Sequence, residues 1–118
     1  MITIHNLHNE DCVYEYDIRV DRASKLGNPF RMFNESERDE VCNDYEEYFA
    51  DMTNKSLDNY EIYRKYQIND REREAFMNEL RKLYKIHRQY GRLRLFCWCY
   101  PKRCHAKTIK KFLEKYIK

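Results

Sequence analysis

Glycine and proline are scarce in this chain, and they mark the places where regular structure must break. There are two of each in 118 residues, and they fall in two regions, at Gly27 to Pro29 and at Gly91 to Pro101. Because proline interrupts helices and glycine favours turns and helix ends, both regions are predicted to be chain breaks. The long stretches between them, with few turn signals, predict a helix-rich chain.

Length and composition predict one domain, residues 1–118, with a true core. Apolar residues make up 42% of the chain and aromatic residues 15%, which is too apolar for a disordered segment. No apolar run approaches the roughly 18 residues of a transmembrane helix, and the start lacks the features of a signal peptide. We therefore expect no membrane partner, and five reduced cysteines in a cytoplasmic protein.

Strict alternation of apolar and polar residues predicts three strands, at residues 2–4, 13–20 and 93–99. In the second of these, Tyr14, Tyr16, Ile18 and Val20 share one face, so they are predicted to face the core. The charged residues between them are predicted to face solvent.

Three helices are predicted from apolar residues spaced three and four apart. Their stripes are Val41, Tyr45, Tyr48, Phe49 and Met52; Phe76, Leu80, Leu83, Tyr84 and His87; and Ile109, Phe112, Leu113, Tyr116 and Ile117. The first helix is expected to begin at Ser36, and the second at Asn69 or Asp70. The last is expected to begin near Cys104. Residues 53–68 are compatible with a short helix or with an inserted aromatic segment.

The order of these elements predicts an α/β fold, a small Rossmann-like sandwich with three to four strands and three to four helices. In such sheets the ligand crevice lies beyond the carboxyl ends of the strands. The loops at 22–30 and 99–105 each follow a predicted strand. If these strands are parallel and adjacent, the two loops meet and form a pocket.

Charge is unevenly distributed, although the net charge is only +3. Residues 35–51 contain eight acidic residues against one arginine, whereas residues 102–118 contain seven lysines and arginines against one glutamate. A basic surface can bind the phosphates of nucleotides, nucleic acids or lipids, but exposed helices are also commonly charged. The acidic segment is interpreted as ordinary helix surface.

The densest group of reactive side chains lies in residues 96–105, FCWCYPKRCH. Its thiols and imidazole suggest a zinc site, since zinc takes four such ligands. The ligands would be Cys97, Cys99, Cys104 and His105. Zinc sites more often use C-x2-C pairs, and an iron–sulfur cluster fits this spacing less well. Plain core packing is a further interpretation, because cysteine is among the most buried residue types.

A second interpretation makes Cys104 a nucleophile. It would lie at the start of a helix, beside His105, and with Lys102 and Arg103 nearby. The helix dipole and the cations would stabilise its thiolate and lower its pKa, while His105 would act as base or proton shuttle. Cys104 and His105 are therefore the predicted catalytic residues.

A third interpretation is binding of a phosphorylated ligand without covalent chemistry, at the basic start of the last helix. The predicted ligand-binding residues are Arg22, Lys25, Lys102 and Arg103 for phosphate, Asn28 for polar specificity and Trp98 for stacking. Gly27 is expected to serve the turn through its freedom to adopt positive φ.

Three motifs stand out: Arg22-x-x-Lys25-x-Gly27-Asn28-Pro29-Phe30, Arg38-x-x-Val41-x-x-x-Tyr45, and Cys97-Trp98-Cys99-x-Pro101-x-x-Cys104-His105. Together they resemble a small family of bacterial and phage genomes that is classified as a domain of unknown function. The resemblance spans about residues 22–117 and implies that both loops belong to one unit, but it implies no activity. The family motif continues Gly-Asp where this chain has Ala106-Lys107, and residues 53–68 look like an insertion against shorter relatives.

The leading hypothesis is a domain that binds a nucleotide or related phosphorylated ligand between the two loops. If the domain is an enzyme, this ligand is also its substrate. The alternative is a phage-type accessory protein that acts on a host protein or nucleic acid, with a structural or zinc-binding Cys/His cluster. The last helix distinguishes them, because lysines that face away from the 22–30 loop would serve a partner surface.

Overall fold

The computed structural model describes residues 1–116, in which a three-stranded parallel sheet packs with four α-helices. The elements are β1 (Ile2–Asn6), β2 (Asp17–Arg19), α1 (Arg38–Thr53), α2 (Asn59–Tyr66), α3 (Asp70–Tyr90), β3 (Leu93–Cys97) and α4 (Ala106–Glu114). The prediction of a small α/β domain is confirmed. Ile117, the last residue of the predicted stripe in α4, lies outside the described residues.

The sheet has the order β1-β3-β2, with β3 parallel to both neighbours. Leu95 pairs with Ile4 on one side and with Ile18 on the other, so these three side chains form one row across a face. The carboxyl ends of all three strands lie at the same edge. Because β2 and β3 are direct neighbours, the loops that follow them start side by side, as the sequence predicted.

The helices cover the face of the sheet that carries Leu93, Leu95 and Cys97. The predicted stripes of α1 and α3 are buried in the same core, in which α1 packs against α3 and α4, and Tyr84 is partly buried at the margin. In α4, Ile109 and Leu113 are buried, whereas Tyr116 is exposed. The helical periodicity therefore identified most of the core correctly.

The ends of α3 are as predicted. Asn69 accepts a hydrogen bond from the Glu72 N–H at 2.8 Å, and the Glu72 carboxylate accepts one from the Asn69 N–H at 3.2 Å. Gly91 ends the helix at φ +71°. The start of α1 is different, because a 3-10 turn at Glu35–Glu37 precedes it. Ser36 does not cap the helix, since its hydroxyl donates to Asn34 instead.

The strand predicted at 13–20 is shorter in the structure, where only Asp17–Arg19 is a strand. Ile18 and Val20 face the core as predicted, but Asp17 is buried and Tyr14 is exposed, which is the reverse of the prediction for these two residues. The Asp17 carboxylate accepts hydrogen bonds from the backbone N–H groups of Val13, at 2.9 Å, and Tyr14, at 3.0 Å. A carboxylate that binds its own backbone in this way favours a turn over a strand.

The connection between β1 and β2 covers the face of the sheet opposite the helices. Arg94, on the central strand, lies 2.6 Å from the Glu10 carboxylate and 3.3 Å from that of Asp17. Its guanidinium also lies over the rings of Phe96 and Tyr14, at 5.2 and 5.5 Å. This face therefore has a charged and aromatic covering instead of a helix.

Residues 53–68, for which the sequence left two possibilities, contain the short helix α2. Its N-cap is Asp58, and Ile62 anchors it in the core. Arg73 of α3 donates hydrogen bonds to the carbonyls of Leu57, at 2.8 Å, and Asn54, at 3.0 Å. Within residues 1–116 no helix is long and apolar enough to cross a membrane.

Candidate functional site

A cavity of about 420 Å³ lies where β2 and β3 end, which is the position predicted for a ligand pocket. Its volume is within the range of small-molecule sites. It is lined by Asp21, Arg22, Ala23, Asn28, Met32, Arg38, Val41, Cys42, Trp98, Cys99 and His105. The walls therefore come from both strand-end loops and from the first turns of α1.

Residues of both loops line this cavity, and hydrogen bonds join the chain where it leaves β2 and β3. The Trp98 indole N–H donates to the Asp21 carboxylate at 2.8 Å, and the His105 Nε2 bonds the Val20 carbonyl. Trp98 remains 45% exposed, with His8 against its ring at 4.7 Å between centroids. The prediction that the loops meet is confirmed.

Asp21 places an ionised carboxylate in the cavity wall. Asp21 is only 5% exposed, and its Oδ1 is buried without a hydrogen-bond partner among the described residues. Burial alone would raise the pKa of Asp21, but hydrogen bonds from Arg19 and Trp98 outweigh it and hold that pKa below its ordinary value. Asp21 therefore adds a negative charge to the cavity wall, although its Oδ1 is itself buried.

Gly27 allows the 22–30 loop to pass close to its own start. A Cβ on Gly27 would lie 2.6 Å from the Asp21 carbonyl oxygen and 2.7 Å from the Arg22 Cα. The expected positive φ at Gly27 is not found, so the position requires space and not a left-handed backbone. Asn28 then turns the chain by accepting a hydrogen bond from the Phe30 N–H at 2.8 Å.

Two guanidinium groups lie in the cavity wall. Arg22 has an exposed side chain and uses one nitrogen to bond the Asn28 carbonyl. Arg38 is held more firmly, by Glu35 at 2.6 Å and by the Arg103 carbonyl at 2.9 Å. The hydrogen bonds that Arg38 donates to the Glu35 carboxylate raise the pKa of Arg38, so this group is a fixed cation.

The other predicted phosphate-binding cations lie outside the cavity. Lys25 is exposed on the same loop as Arg22, but its side chain does not line the wall. Lys102 pairs with Glu35 at 3.2 Å. Arg103 pairs with two acidic residues of α1, each at 3.0 Å. The structure differs from the sequence prediction here because the acidic start of α1 binds the basic loop.

Cys104 is not in the environment predicted for a nucleophile. Its sulfur lies 3.3 Å from that of Cys97, and both residues are buried. The hydrogen bond with Cys97, together with burial, raises the pKa of Cys104, which is the reverse of the expected shift. The Ala106 N–H, at the start of α4, lowers the pKa of Cys104 but does not overcome the contact with Cys97 and the burial.

His105 does line the cavity, as a neutral side chain. Burial is the main reason why its pKa is lowered. Because the Val20 carbonyl can only accept, Nε2 carries the hydrogen and Nδ1 keeps a lone pair. His105 can therefore accept a proton at Nδ1, although Cys104 does not line the cavity beside it.

The four side chains of the predicted zinc site do not converge. Cys97 and Cys104 face each other in the core, Cys99 lies in the cavity wall, and His105 is bonded to Val20. In the part of the chain that the structure describes, no three His, Cys, Asp or Glu side chains are arranged to hold a metal ion.

Asp21 and Arg38 line the cavity without having been predicted as site residues, and Cys99 was predicted only as a zinc ligand or as a core residue. Asp21 could have been found from its position, because it directly follows a strand that ends at the pocket. Arg38 stands in one of the three motifs, without any local sign that it would face a cavity. Its position depends on contacts with a loop 65 residues away.

Comparisons with known proteins place the chain in a family. No match is found among curated proteins or among solved structures. A family profile described as "Domain of unknown function (DUF4326)" matches residues 4–115. The match extends over most of the chain and includes every residue of the cavity wall. The chain therefore belongs to the DUF4326 family.

Proposed function

We propose that the cavity binds a nucleotide or a related phosphorylated small molecule. The observation that carries this proposal is a cavity of about 420 Å³ at the carboxyl ends of β2 and β3, with the Arg22 and Arg38 guanidinium groups in its wall. Guanidinium groups suit the planar, multiple hydrogen bonds of phosphate, so such a wall fits a phosphorylated ligand.

Asp21 would act by positioning Trp98, whose indole N–H donates to the Asp21 Oδ2 at 2.8 Å. Trp98 is 45% exposed and lines the cavity, so its ring is the expected stacking surface for a base.

Arg22 is the expected phosphate-binding group. Its exposed guanidinium keeps donors beyond the one that bonds Asn28, and Arg31 lies beside it on the surface. Arg38 adds a second fixed positive charge, although Glu35 and the Arg103 carbonyl occupy most of its donors. The apolar wall of Met32 and Val41 offers contact area for a base.

Isothermal titration calorimetry with nucleoside mono-, di- and triphosphates tests the proposal. Arg22→Gln should weaken binding about tenfold or more, because it removes a charge-assisted hydrogen bond. Lys25→Gln is the matched control, since it removes a cation from the same loop but not from the cavity wall. No binding of any nucleotide, or an equal loss in both variants, would contradict the proposal.

The basic surface of α4 supports a second candidate function, binding of a polyanion or an acidic partner. Lys107, Lys111 and Lys115 are exposed, and none of them lines the cavity. Lys111 and Lys115 instead border a groove between α4 and α1. Binding of a nucleic acid here should weaken steeply with salt. A Lys107→Gln/Lys111→Gln variant should lose it while retaining nucleotide binding.

A further inference from the structure

The end of β3 and the start of α4 bring two thiols into contact inside the core. The Cys97 and Cys104 sulfurs lie 3.3 Å apart, and the two residues are 0% and 4% exposed. A disulfide bond is about 2 Å long, so rotation about the side-chain bonds has to bring these sulfurs only about 1.3 Å closer. The fold therefore holds the two thiols at a spacing from which a disulfide can form.

The other cysteines have different surroundings. Cys12 is exposed on the connection between β1 and β2, and Cys99 is partly exposed in the cavity wall. The thiol of Cys42 donates to a backbone carbonyl at 3.6 Å. Within residues 1–116, the hydrogen bond between two sulfurs is the one that joins Cys97 and Cys104.

The contact makes the two sulfurs unequal. The hydrogen bond from Cys104 is the largest cause of a lowered pKa at Cys97, and the backbone N–H groups of Cys99 and Tyr100 add to it against the effect of burial. The same contact and burial raise the pKa of Cys104. Cys97 is therefore the sulfur that more readily offers an electron pair, and Cys104 is the thiol that keeps its proton.

Both cysteines adjoin residues of the cavity wall. Trp98 follows Cys97, His105 follows Cys104, and both of these neighbours line the cavity. Each neighbour also bonds the chain where it leaves β2. A covalent link between the two sulfurs closes the segment 97–104 into a ring, which restricts its conformational freedom. The pair is thus placed to hold one wall of the cavity.

We propose that Cys97 and Cys104 are a reversible dithiol–disulfide pair, oxidised by hydrogen peroxide and reduced by a small thiol, which fixes the segment 97–104 in the cavity wall. This inference holds whatever ligand the cavity binds.

The oxidation takes two electrons from the two sulfurs. The Cys97 sulfur forms a bond to one peroxide oxygen as the O–O bond breaks, and the departing hydroxide takes the Cys97 proton and leaves as water. The Cys104 sulfur then attacks the sulfenic sulfur of Cys97, and the sulfenic oxygen leaves with the Cys104 proton as a second water. Two molecules of a small thiol reverse the link and are themselves joined as a disulfide.

Peptide mass spectrometry of the full chain tests the link. The folded chain is treated with hydrogen peroxide, its remaining thiols are alkylated in urea, and it is digested with trypsin, which cuts after Lys102 and Arg103 and so separates the two cysteines. Because the peptide 95–102 also contains Cys99, the map is made in Cys99→Ser. Peptide 95–102 should be joined to peptide 104–107, and dithiothreitol should separate them. Absence of this joined pair would overturn the proposal.

Serine variants in the Cys99→Ser chain separate the roles of the two sulfurs. Cys104→Ser leaves the sulfenic acid of Cys97 without its partner, so dimedone added with urea after the peroxide should label Cys97. Cys97→Ser should leave Cys104 unlabelled, and Cys12→Ser is the control that should retain the link. Labelling at Cys104 without labelling at Cys97 would overturn the assigned order. Where a variant fails to fold, the map of Cys99→Ser still decides the proposal.

Amide hydrogen exchange tests whether the link fixes the cavity wall. Exchange in residues 98–103 of the Cys99→Ser chain should slow several-fold after oxidation and recover on reduction, because the ends of the segment can no longer separate. Cys99→Ser/Cys104→Ser, treated in the same way, should show no change. Unchanged or faster exchange in a chain that carries the link would contradict this role.

Discussion

His105 joins the two loops as a neutral side chain. Its Nε2 donates to the Val20 carbonyl, and the ring of Tyr45 packs edge-on against it at 5.1 Å between centroids. Burial is the largest cause of its lowered pKa, and the Arg22 charge adds to the effect. The folded chain therefore resists protonation of His105 more than the unfolded chain does.

Acidification should consequently destabilise the fold. Below the ordinary histidine pKa of 6.5 the unfolded state takes up a proton that folded His105 refuses, so the free energy of unfolding falls as the pH falls. His105→Gln keeps a side-chain donor but cannot titrate, and it should reduce this dependence between about pH 7 and pH 5. Urea denaturation at both pH values measures it.

His8→Gln is the control for that experiment, because His8 is exposed and lies outside the buried joint. It should retain the pH dependence of the unmodified chain. His87 is a second buried histidine with a pKa lowered by burial and by the N-terminal charge, so some dependence should persist in His105→Gln. A slope unchanged by His105→Gln would contradict the argument.

The two glycines at the chain breaks are required for different reasons, one for its backbone conformation and the other for its lack of a side chain. Gly91 ends α3 with a positive φ in open space, whereas a Cβ on Gly27 would lie within 3 Å of the backbone of residues 21–22. An alanine at position 91 must adopt a strained φ, which costs about 1 kcal/mol. An alanine at position 27 must displace backbone atoms, which costs more.

Gly27→Ala should lower the free energy of unfolding by about 2–3 kcal/mol, in the range of overpacked sites. It should also weaken nucleotide binding, because the displaced atoms belong to Asp21 and Arg22. Gly91→Ala should leave binding unchanged. Chemical denaturation and calorimetry measure the two effects, and equal costs at both positions would show that the 22–30 loop can adjust.

Local patterns predicted the elements whose partners are local. The stripes of α1 and α3, the Asn69 cap and the Gly91 stop follow from periodicity and capping rules. The strand at 13–20 was predicted too long because alternation cannot show that a carboxylate will bind its own backbone. Asp17 does so while it also faces Arg94, 77 positions along the chain.

The position of the candidate site was predicted from the sequence, but only some of the residues that line it were. Parallel neighbouring strands bring their loops together, so the meeting of residues 22–30 with 99–105 could be expected. Which cysteines would line the cavity could not be predicted, because Cys42 and Cys99 reach it from different elements while Cys97 and Cys104 face each other in the core. The neighbouring charges in the sequence suggested Cys104, but its hydrogen bond with Cys97 and its burial raise its pKa.

The whole molecule has a sheet with two differently covered faces, and Arg94 organises the face without helices. The Asp17 side chain has no exposure, and the Arg94 Nε lies 3.3 Å from it, close enough for ionic pairing but not aligned as a hydrogen bond. Glu10 binds the same guanidinium at 2.6 Å. The central strand is thereby attached to the connection between β1 and β2.

Arg94→Leu should therefore lower the free energy of unfolding by about 3 kcal/mol or more, because it leaves the buried Asp17 charge without its cation. Arg92→Leu is the matched control, since Arg92 is exposed and makes only a cation–π contact with Tyr16 at 4.7 Å. That variant should cost less than about 1 kcal/mol.

Adding Asp17→Asn to Arg94→Leu should recover part of the loss, because it removes the unpaired charge while the amide oxygen can still accept from the backbone of Val13 and Tyr14. Urea denaturation of the two single variants and the double variant gives the coupling energy. Additive costs, or an Arg94→Leu loss no larger than that of Arg92→Leu, would show that the charged covering contributes little. The helices on the other face would then hold the sheet alone.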